Sequence, residues 1–80
     1  MYQVYIIKSI KFDRYYIGSA EDARQRLNFQ HNKGKVKSTK AYMPWKLVYT
    51  EDFNTRSEAY RREQQIKSYK GGEAFKRLIK

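Results

Sequence analysis

The sequence has no cysteine, few acidic residues and no long apolar run, and each absence excludes a class of protein. Without cysteine, the chain forms no disulfide and no thiolate-bound zinc site, and nothing indicates an oxidising compartment. The first ten residues lack a basic segment followed by an apolar one, and no apolar run reaches membrane-spanning length. We therefore expect a soluble, cytoplasmic protein with no membrane partner. Its 80 residues predict a single small domain, residues 1–80.

The shortage of negative charge is the most informative feature of the composition. Eighteen lysines and arginines stand against eight aspartates and glutamates, which gives a formal net charge of +10. Such an excess on a small domain favours a polyanionic partner, because each phosphate contact releases condensed counterions. Charge alone does not separate DNA from RNA, and a basic surface that is simply solvated is the alternative. The aromatic fraction of 16% argues against disorder.

Alternating β-branched and aromatic residues predict three strands. The first covers residues 2–8, with the even-numbered side chains on one face and the odd-numbered ones on the other. Residues 9–14 are charged and indicate a hairpin connection, so the second strand, residues 15–19, is expected to run antiparallel to the first. A third strand is predicted over residues 45–51, directly after Pro44.

The first predicted helix, residues 20–33, has a start and a stop signal. Ser19 and Asp22 have the spacing of a capping box, and Gly34 suits the left-handed position that follows a helix end. Few apolar residues are available for a buried face. A helix of this composition presents its arginines rather than contributing mainly to a core.

Two more helices are predicted in the C-terminal third. Thr55 and Glu58 form a second capping box, which opens a helix over residues 56–69. A short last helix over residues 73–79 is expected to turn its apolar side chains inward, namely Ala74, Phe75, Leu78 and Ile79. The sequence thus predicts an α/β (α+β) fold in which a three-stranded antiparallel sheet is flanked by three helices.

The segment from residue 33 to residue 40 is unlike the rest of the chain. It places four lysines among small residues and predicts a mobile cationic loop. A solvated loop is one interpretation, but the charge density favours contact with phosphates. The candidate nucleic-acid-binding residues are Lys33, Lys35, Lys37 and Lys40.

One carboxylate interrupts the buried stripe of the second long helix. Ala59 and Ile66 are seven residues apart, and Glu63 falls between them on the same face. A carboxylate in such a position is costly unless it is paired or binds a metal. The alternatives are an ion pair with an arginine and a metal ligand.

A set of polar and aromatic residues is not explained as core or as solvated surface: Tyr5, Tyr16, Arg26, His31 and Glu63. Phosphodiester hydrolysis needs a cation to bridge the phosphate, a donor for the developing charge, and a group that orients or deprotonates water. One carboxylate, one arginine and a phenol supply these roles. Each residue also has a plain explanation, since tyrosines pack in sheets and a histidine caps helix ends. Moreover, residues 26 and 31 lie roughly 140° apart on a regular helix, so they converge only if the helix end is irregular or the arginine reaches round.

Short motifs in order connect these residues to a known family. Residues 4–6 followed by residues 16–18 resemble the two halves of the GIY-YIG nuclease motif, with Gln3 where the family name has glycine. Arg26 follows Tyr16 by ten residues, as the family's arginine follows its second tyrosine. Further segments resemble a small stand-alone subfamily, UPF0213 or excinuclease-C-like: residues 30–34, 56–59 and 62–63.

The resemblance implies a metal-dependent endonuclease that hydrolyses DNA phosphodiester bonds, with a link to structure-specific cleavage or DNA repair. It implies that Tyr5, Tyr16, Arg26 and His31 are catalytic and that Glu63 holds a single divalent ion, Mg²⁺ or Mn²⁺. Either tyrosine is a candidate for activating water, and Tyr5 is favoured. The expected partner is duplex or branched DNA, with a protein partner or transient dimer left open. The alternative function is a non-catalytic DNA- or RNA-binding module that keeps the fold.

Overall fold

The computed structural model describes residues 1–79 and contains a three-stranded antiparallel sheet. Its strands are β1 (Tyr2–Ser9), β2 (Tyr15–Ala20) and β3 (Trp45–Phe53), in the order β2-β1-β3. The hairpin predicted between the first two strands is present, and β1 pairs with a neighbour on both sides. The predicted α+β fold is confirmed.

The alternation along β1 divides the core into two layers. Val4 and Ile6 face one side, where they pack in a cluster with buried residues of the C-terminal helices. Tyr5 and Ile7 face the other side and pack with Ala23, Leu27 and Trp45. Because successive side chains of a strand point to opposite faces, the even and odd residues divide as the sequence predicted. Helices therefore cover both faces of the sheet.

The first helix begins later than predicted. Ser19 lies within β2, and the helix α1 (Ala23–Arg26) is capped by Asp22, whose side chain accepts from the backbone N–H of Gln25 at 3.1 Å. The prediction that Ser19 caps this helix is wrong, because strand pairing continues through Ala20. Gly34 does adopt the predicted left-handed conformation, with φ of 73°.

The helix α1 continues directly into a π-helical turn. This turn covers Leu27–His31, and the backbone N–H of Asn32 donates to the Leu27 carbonyl, five residues earlier, at 2.9 Å. Widening the helix in this way brings residues five apart onto the same side. The first helical segment therefore ends in a geometry that a regular 3.6-residue period does not describe.

The lysine-rich segment contains structure that was not predicted. Lys37–Lys40 form a helical turn, α2, in place of part of the expected loop. Thr39 within it is fully buried, so the turn is anchored by a side chain that packs into the fold. The prediction of a mobile loop over the whole segment is wrong for these four residues.

The C-terminal helices follow the predicted pattern closely. The helix α3 (Arg56–Ser68) is capped by Thr55, and α4 covers Glu73–Leu78. Phe75 is buried as predicted, but Ala74 is exposed, so its predicted inward position is wrong. The buried face of this short helix is too narrow to include both neighbours. No helix within residues 1–79 has both the length and the apolar character needed to cross a bilayer.

Candidate active site

A buried chain of three polar side chains runs through the centre of the site. Tyr5 lies on the middle strand and its side chain is 1% exposed, while His31 and Thr39 are fully buried. The Tyr5 hydroxyl is 2.8 Å from Nε2 of His31, and Nδ1 of His31 is 2.9 Å from Oγ1 of Thr39. Thr39 in turn donates to the carbonyl of Val36.

The direction of the last hydrogen bond determines the direction of the others. When Thr39 donates to the Val36 carbonyl, 3.3 Å away, it accepts from Nδ1 of His31. The unprotonated Nε2 of the neutral imidazole must then accept from the Tyr5 hydroxyl. This direction of donation assigns the Nδ1–H tautomer to His31 and points the Tyr5 proton at Nε2.

Burial lowers the pKa of His31 and raises the pKa of Tyr5, so both side chains stay neutral. Desolvation, and after it the positive charge of Arg26, lowers the pKa of His31 from 6.5 to about 4. Desolvation also raises the pKa of Tyr5; Tyr16 and Glu63 raise it further, whereas Arg26 opposes the rise. At neutral pH the pair is thus a neutral phenol donating to a neutral imidazole.

We expect the lowered pKa of His31 to appear in both titration and stability. The unfolded chain binds this proton near pH 6.5 and the folded chain only near 4, so the free energy of unfolding should fall as pH drops between these values. The contribution is roughly 3 kcal/mol. Nuclear magnetic resonance can follow the imidazole directly, since His31 is the only histidine.

The variant His31→Gln is the control for this titration. Its free energy of unfolding should fall less than that of the wild type as pH drops from 6.5 to 4. The difference between the two curves is the contribution of the imidazole alone. An imidazole midpoint close to 6.5 would contradict the buried, neutral state.

Tyr16 and Gly18 complete the aromatic part of the site. The Tyr16 ring lies 4.9 Å from that of His31 and 6.4 Å from that of Tyr5, measured between centroids. Gly18 is paired with Tyr5 across the strands, and a Cβ atom at this position would lie 2.6 Å from the Tyr5 hydroxyl oxygen. A side chain at position 18 would displace that hydroxyl, so the glycine is required for its position.

Arg26 reaches the same region through the π-helical turn. It precedes that turn directly, and its positive charge lowers the pKa of both His31 and Tyr5, so the guanidinium acts electrostatically on both groups. The side chain is half-buried, and its buried Nε has no hydrogen-bond partner among residues 1–79. A buried guanidinium N–H without a partner is costly unless a ligand accepts from it, and phosphate oxygens are suitable acceptors.

Glu63 is held on the other side of the edge strand. Its side chain is buried, with a residue exposure of 9%, and its Oε1 accepts from the Ser19 hydroxyl at 2.7 Å. Its Oε2 lies 2.7 Å from Nζ of Lys67, one turn later in α3. The expected alternative of an arginine partner is wrong, because Arg62 pairs with Glu51 instead.

Glu63 could hold a hard divalent cation through its Oε2 only in exchange for the Lys67 ammonium, since Ser19 occupies Oε1. One carboxylate and the hydroxyl of Ser19 lie within hydrogen-bond distance of each other, and Mg²⁺ characteristically takes one or two carboxylates with water and phosphate oxygens as its other ligands. No group of three or more histidine, aspartate or glutamate side chains converges as metal ligands within residues 1–79. Any ion here would rely on Glu63, water and substrate.

The four candidate lysines lie apart from this cluster. All of them, Lys33, Lys35, Lys37 and Lys40, are exposed. They are linked to the site through the chain itself, because Thr39 in the same segment holds His31. None of them lines the cleft that lies next to Arg26.

Three residues of the site were missed by reasoning from the sequence. Thr39 orients His31, Ser19 orients Glu63, and Lys67 forms the ion pair. The spacing of Glu63 and Lys67, four residues apart on a helix, is a sequence signal that would have found the last pair. No comparable signal marks Thr39, which stands among lysines in a segment with the composition of a solvated loop.

Comparison with known proteins gives two kinds of match. A family model described as the GIY-YIG catalytic domain matches residues 1–75. A UPF0213 protein of Staphylococcus saprophyticus is 43% identical over 67 residues, covering 82% of this chain and 79% of that protein. A UPF0213 protein of Staphylococcus epidermidis is 45% identical over the same shares of each chain. No solved structure matches this chain.

Proposed function

Since the chain belongs to the GIY-YIG nuclease family, we propose that it is a metal-dependent endonuclease that hydrolyses DNA phosphodiester bonds. The observation that carries the proposal is the buried Tyr5–His31–Thr39 hydrogen-bond chain beside an arginine whose Nε has no partner. A sheet that needed tyrosine only for packing would not require a buried, oriented hydroxyl facing a neutral imidazole. The arrangement suits proton transfer next to an anion.

Arg26 binds the scissile phosphate in this proposal. Its guanidinium, which lines the neighbouring cleft, donates to a phosphate oxygen, and its charge stabilises the negative charge that develops on the equatorial oxygens during attack. The side chain is half-buried, so its charge is partly shielded from water, which strengthens the interaction. Arg26 therefore serves both binding and the transition state.

Tyr5 passes the proton of the attacking water to His31. In this proposal the hydroxyl donates its own proton to Nε2 of His31 and accepts one from the attacking water, which must reach Tyr5 at the edge of its buried position. As the water oxygen bonds to phosphorus, its proton moves to Tyr5 while the Tyr5 proton moves to His31. The leaving oxygen takes the electron pair of the broken P–O bond and is protonated by solvent. No free phenolate is needed, which agrees with the raised pKa of Tyr5.

The substrate itself favours this transfer. The charge of Arg26 is one of the two causes of the low pKa of His31. A phosphate bound to Arg26 offsets that charge, so the imidazole becomes a better proton acceptor when the substrate is in place. The buried pair is thus poorly reactive alone and is activated by the anion it acts on.

GIY-YIG nucleases generally use a divalent metal ion, and we assign that role to Mg²⁺ or Mn²⁺ on Glu63. Bound there, the ion would supply Lewis-acid stabilisation of the phosphate and leaving oxygen. Ser19 orients the carboxylate that holds it. The Lys67 side chain is 46% exposed, so it can turn into solvent when the ion binds.

A nicking assay tests the proposed function. Supercoiled plasmid and branched DNA should be cut in Mg²⁺ or Mn²⁺, and EDTA should abolish cutting. Cleavage that persists in EDTA would contradict metal dependence. If the chain binds DNA tightly but never cuts it with any divalent ion, the nuclease proposal is wrong and the non-catalytic module is the better description.

The four exposed lysines Lys33, Lys35, Lys37 and Lys40 are proposed to contact DNA phosphates outside the site. Replacing all four by glutamine should weaken DNA binding and reduce the slope of log affinity against log salt, by about 0.9 for each duplex phosphate that the variant no longer neutralises. Fluorescence anisotropy at several salt concentrations measures this slope. As a control, glutamine at two exposed lysines on other parts of the surface, Lys11 and Lys76, should change it less. An unchanged slope in the fourfold variant would place the binding surface elsewhere.

A further inference from the structure

A cleft of about 1130 Å³ lies beside the site, where β2 ends and α1 begins. One wall is formed by α1 and the π-helical turn, and the other by the first two turns of α3. Ser19 and Arg26 line it, so it is continuous with the groups proposed for catalysis. It is an open cleft rather than an enclosed cavity, so a segment of a polymer can lie along it.

Two exposed aromatic rings occupy the two walls of this cleft. Phe29 belongs to the π-helical turn and Tyr60 to α3, and each is 58% exposed. Single exposed apolar side chains are ordinary. Here, however, two aromatic residues line one cavity from opposite walls, whereas other exposed rings, Phe12 and Tyr15, belong to the β1–β2 hairpin. Aromatic rings in such a position suit a ligand with flat apolar faces.

The same cleft carries positive charge. Arg26, Arg56 and Arg61 line it, and the partnerless Nε of Arg26 faces no acceptor within residues 1–79. Two acidic residues, Glu21 and Asp22, also line it, so the three arginines leave the cleft with a formal net charge of +1. An anionic ligand with flat faces satisfies both the arginines and the rings.

Single-stranded nucleic acid has this combination of properties. Its phosphates bind a basic groove and its unpaired bases stack on aromatic side chains, with a sequence-tolerant gain for each base. A duplex offers mainly its phosphates, because its base faces are stacked on one another. The aromatic rings therefore favour an unpaired strand over a duplex.

We propose that this cleft binds unpaired DNA nucleotides next to the phosphate that is cut, with bases stacked on Phe29 and Tyr60. The substrate is then single-stranded DNA, or DNA that is locally unpaired, as at a branch. This inference rests on the proposed function, since it takes Arg26 as the residue that holds the scissile phosphate.

Binding without cleavage tests the inference. In EDTA and at fixed salt, anisotropy should show that the wild-type chain binds a labelled single strand more tightly than the matching duplex. Phe29→Ala and Tyr60→Ala should each weaken single-strand binding by at least about fivefold, the low end for loss of one stacked base. The double variant should lose more, while duplex affinity changes little. Tyr60→Phe keeps the ring and should bind like the wild type.

A matched control and a spectroscopic readout separate stacking from general damage. Phe12→Ala removes an exposed aromatic ring outside the cleft and should leave both affinities unchanged. The fluorescence of a single strand that contains 2-aminopurine should be quenched or shifted when the strand binds the wild type. This change should be lost in the Phe29→Ala/Tyr60→Ala double variant.

The outcomes distinguish this inference from the proposed function. If the wild type prefers duplex DNA, or if the double variant binds the single strand as tightly as the wild type, the stacking cleft is wrong even when the chain cuts DNA. If stacking is observed but no metal supports cleavage, the nuclease proposal fails and the cleft stands. A single RNA strand that binds more tightly than DNA of the same sequence would overturn the DNA assignment.

Discussion

Replacing Tyr5 by phenylalanine is expected to lower DNA cleavage by two orders of magnitude or more while DNA binding persists. The substitution keeps the ring and its packing but removes the oxygen that accepts the proton of water. It also leaves Nε2 of buried His31 without its donor, which should reduce the free energy of unfolding by about 1 to 3 kcal/mol. Single-turnover cleavage, measured well below the melting temperature of the variant, separates these two effects.

Tyr15→Phe is the matched control for this experiment. It makes the same change on the neighbouring strand, but Tyr15 packs on Phe75 on the opposite side of the sheet. Cleavage by this variant should equal that of the wild type. If Tyr5→Phe instead cuts DNA at the wild-type rate and only melts earlier, the hydroxyl is structural, and Tyr16 becomes the candidate for activating water.

Replacing Glu63 by glutamine is expected to abolish both metal binding and cleavage while leaving DNA affinity intact. Glutamine has nearly the same shape and can still accept from Ser19, so the fold should be retained. It lacks the charge that holds a divalent cation. Calorimetry or electron paramagnetic resonance with Mn²⁺ measures binding to the chain without relying on turnover.

Two further variants show whether the charge of Glu63 acts on a metal. Glu58→Gln removes another carboxylate of α3, and the glutamine oxygen can still accept from the Thr55 hydroxyl, so the variant should leave Mn²⁺ binding unchanged. Lys67→Met removes the ammonium from Oε2 of Glu63 and should raise Mn²⁺ affinity several-fold, because the ion no longer competes with it. Normal Mn²⁺ binding by Glu63→Gln would mean that this carboxylate only pairs with Lys67.

Much of the fold could be predicted because local signals and burial agree. The alternation of β1 separates Val4 and Ile6 from Tyr5 and Ile7, and the structure buries each pair in its own cluster. Thr55 caps α3 as its capping box predicts. Hydrophobic periodicity and helix capping depend on residues close together in the sequence, so both can be recognised without knowing the fold.

The remaining features depend on contacts between distant segments. Ser19 matched a capping pattern, but its backbone pairs with Val4 of β1 instead. The strand therefore continues through Ala20, and the helix begins later. The π-helical turn over Leu27–His31 changes the side of the helix from which His31 projects, and no 3.6-residue period predicts it. Thr39 is buried because His31 and the backbone of its own segment bind it, which its neighbours in the sequence do not indicate.

The Tyr5–His31–Thr39 chain has an evolutionary consequence, because the proposed chemistry and the packing of one core layer use the same atoms. On a solvent-exposed site, a lineage that no longer needed turnover could lose its reactive groups by neutral drift. Here each single replacement leaves a buried polar atom without a partner, so the intermediate sequences are less stable than either end point. Relatives that have abandoned cleavage should therefore either retain the whole chain unchanged or have exchanged all three positions together for apolar residues.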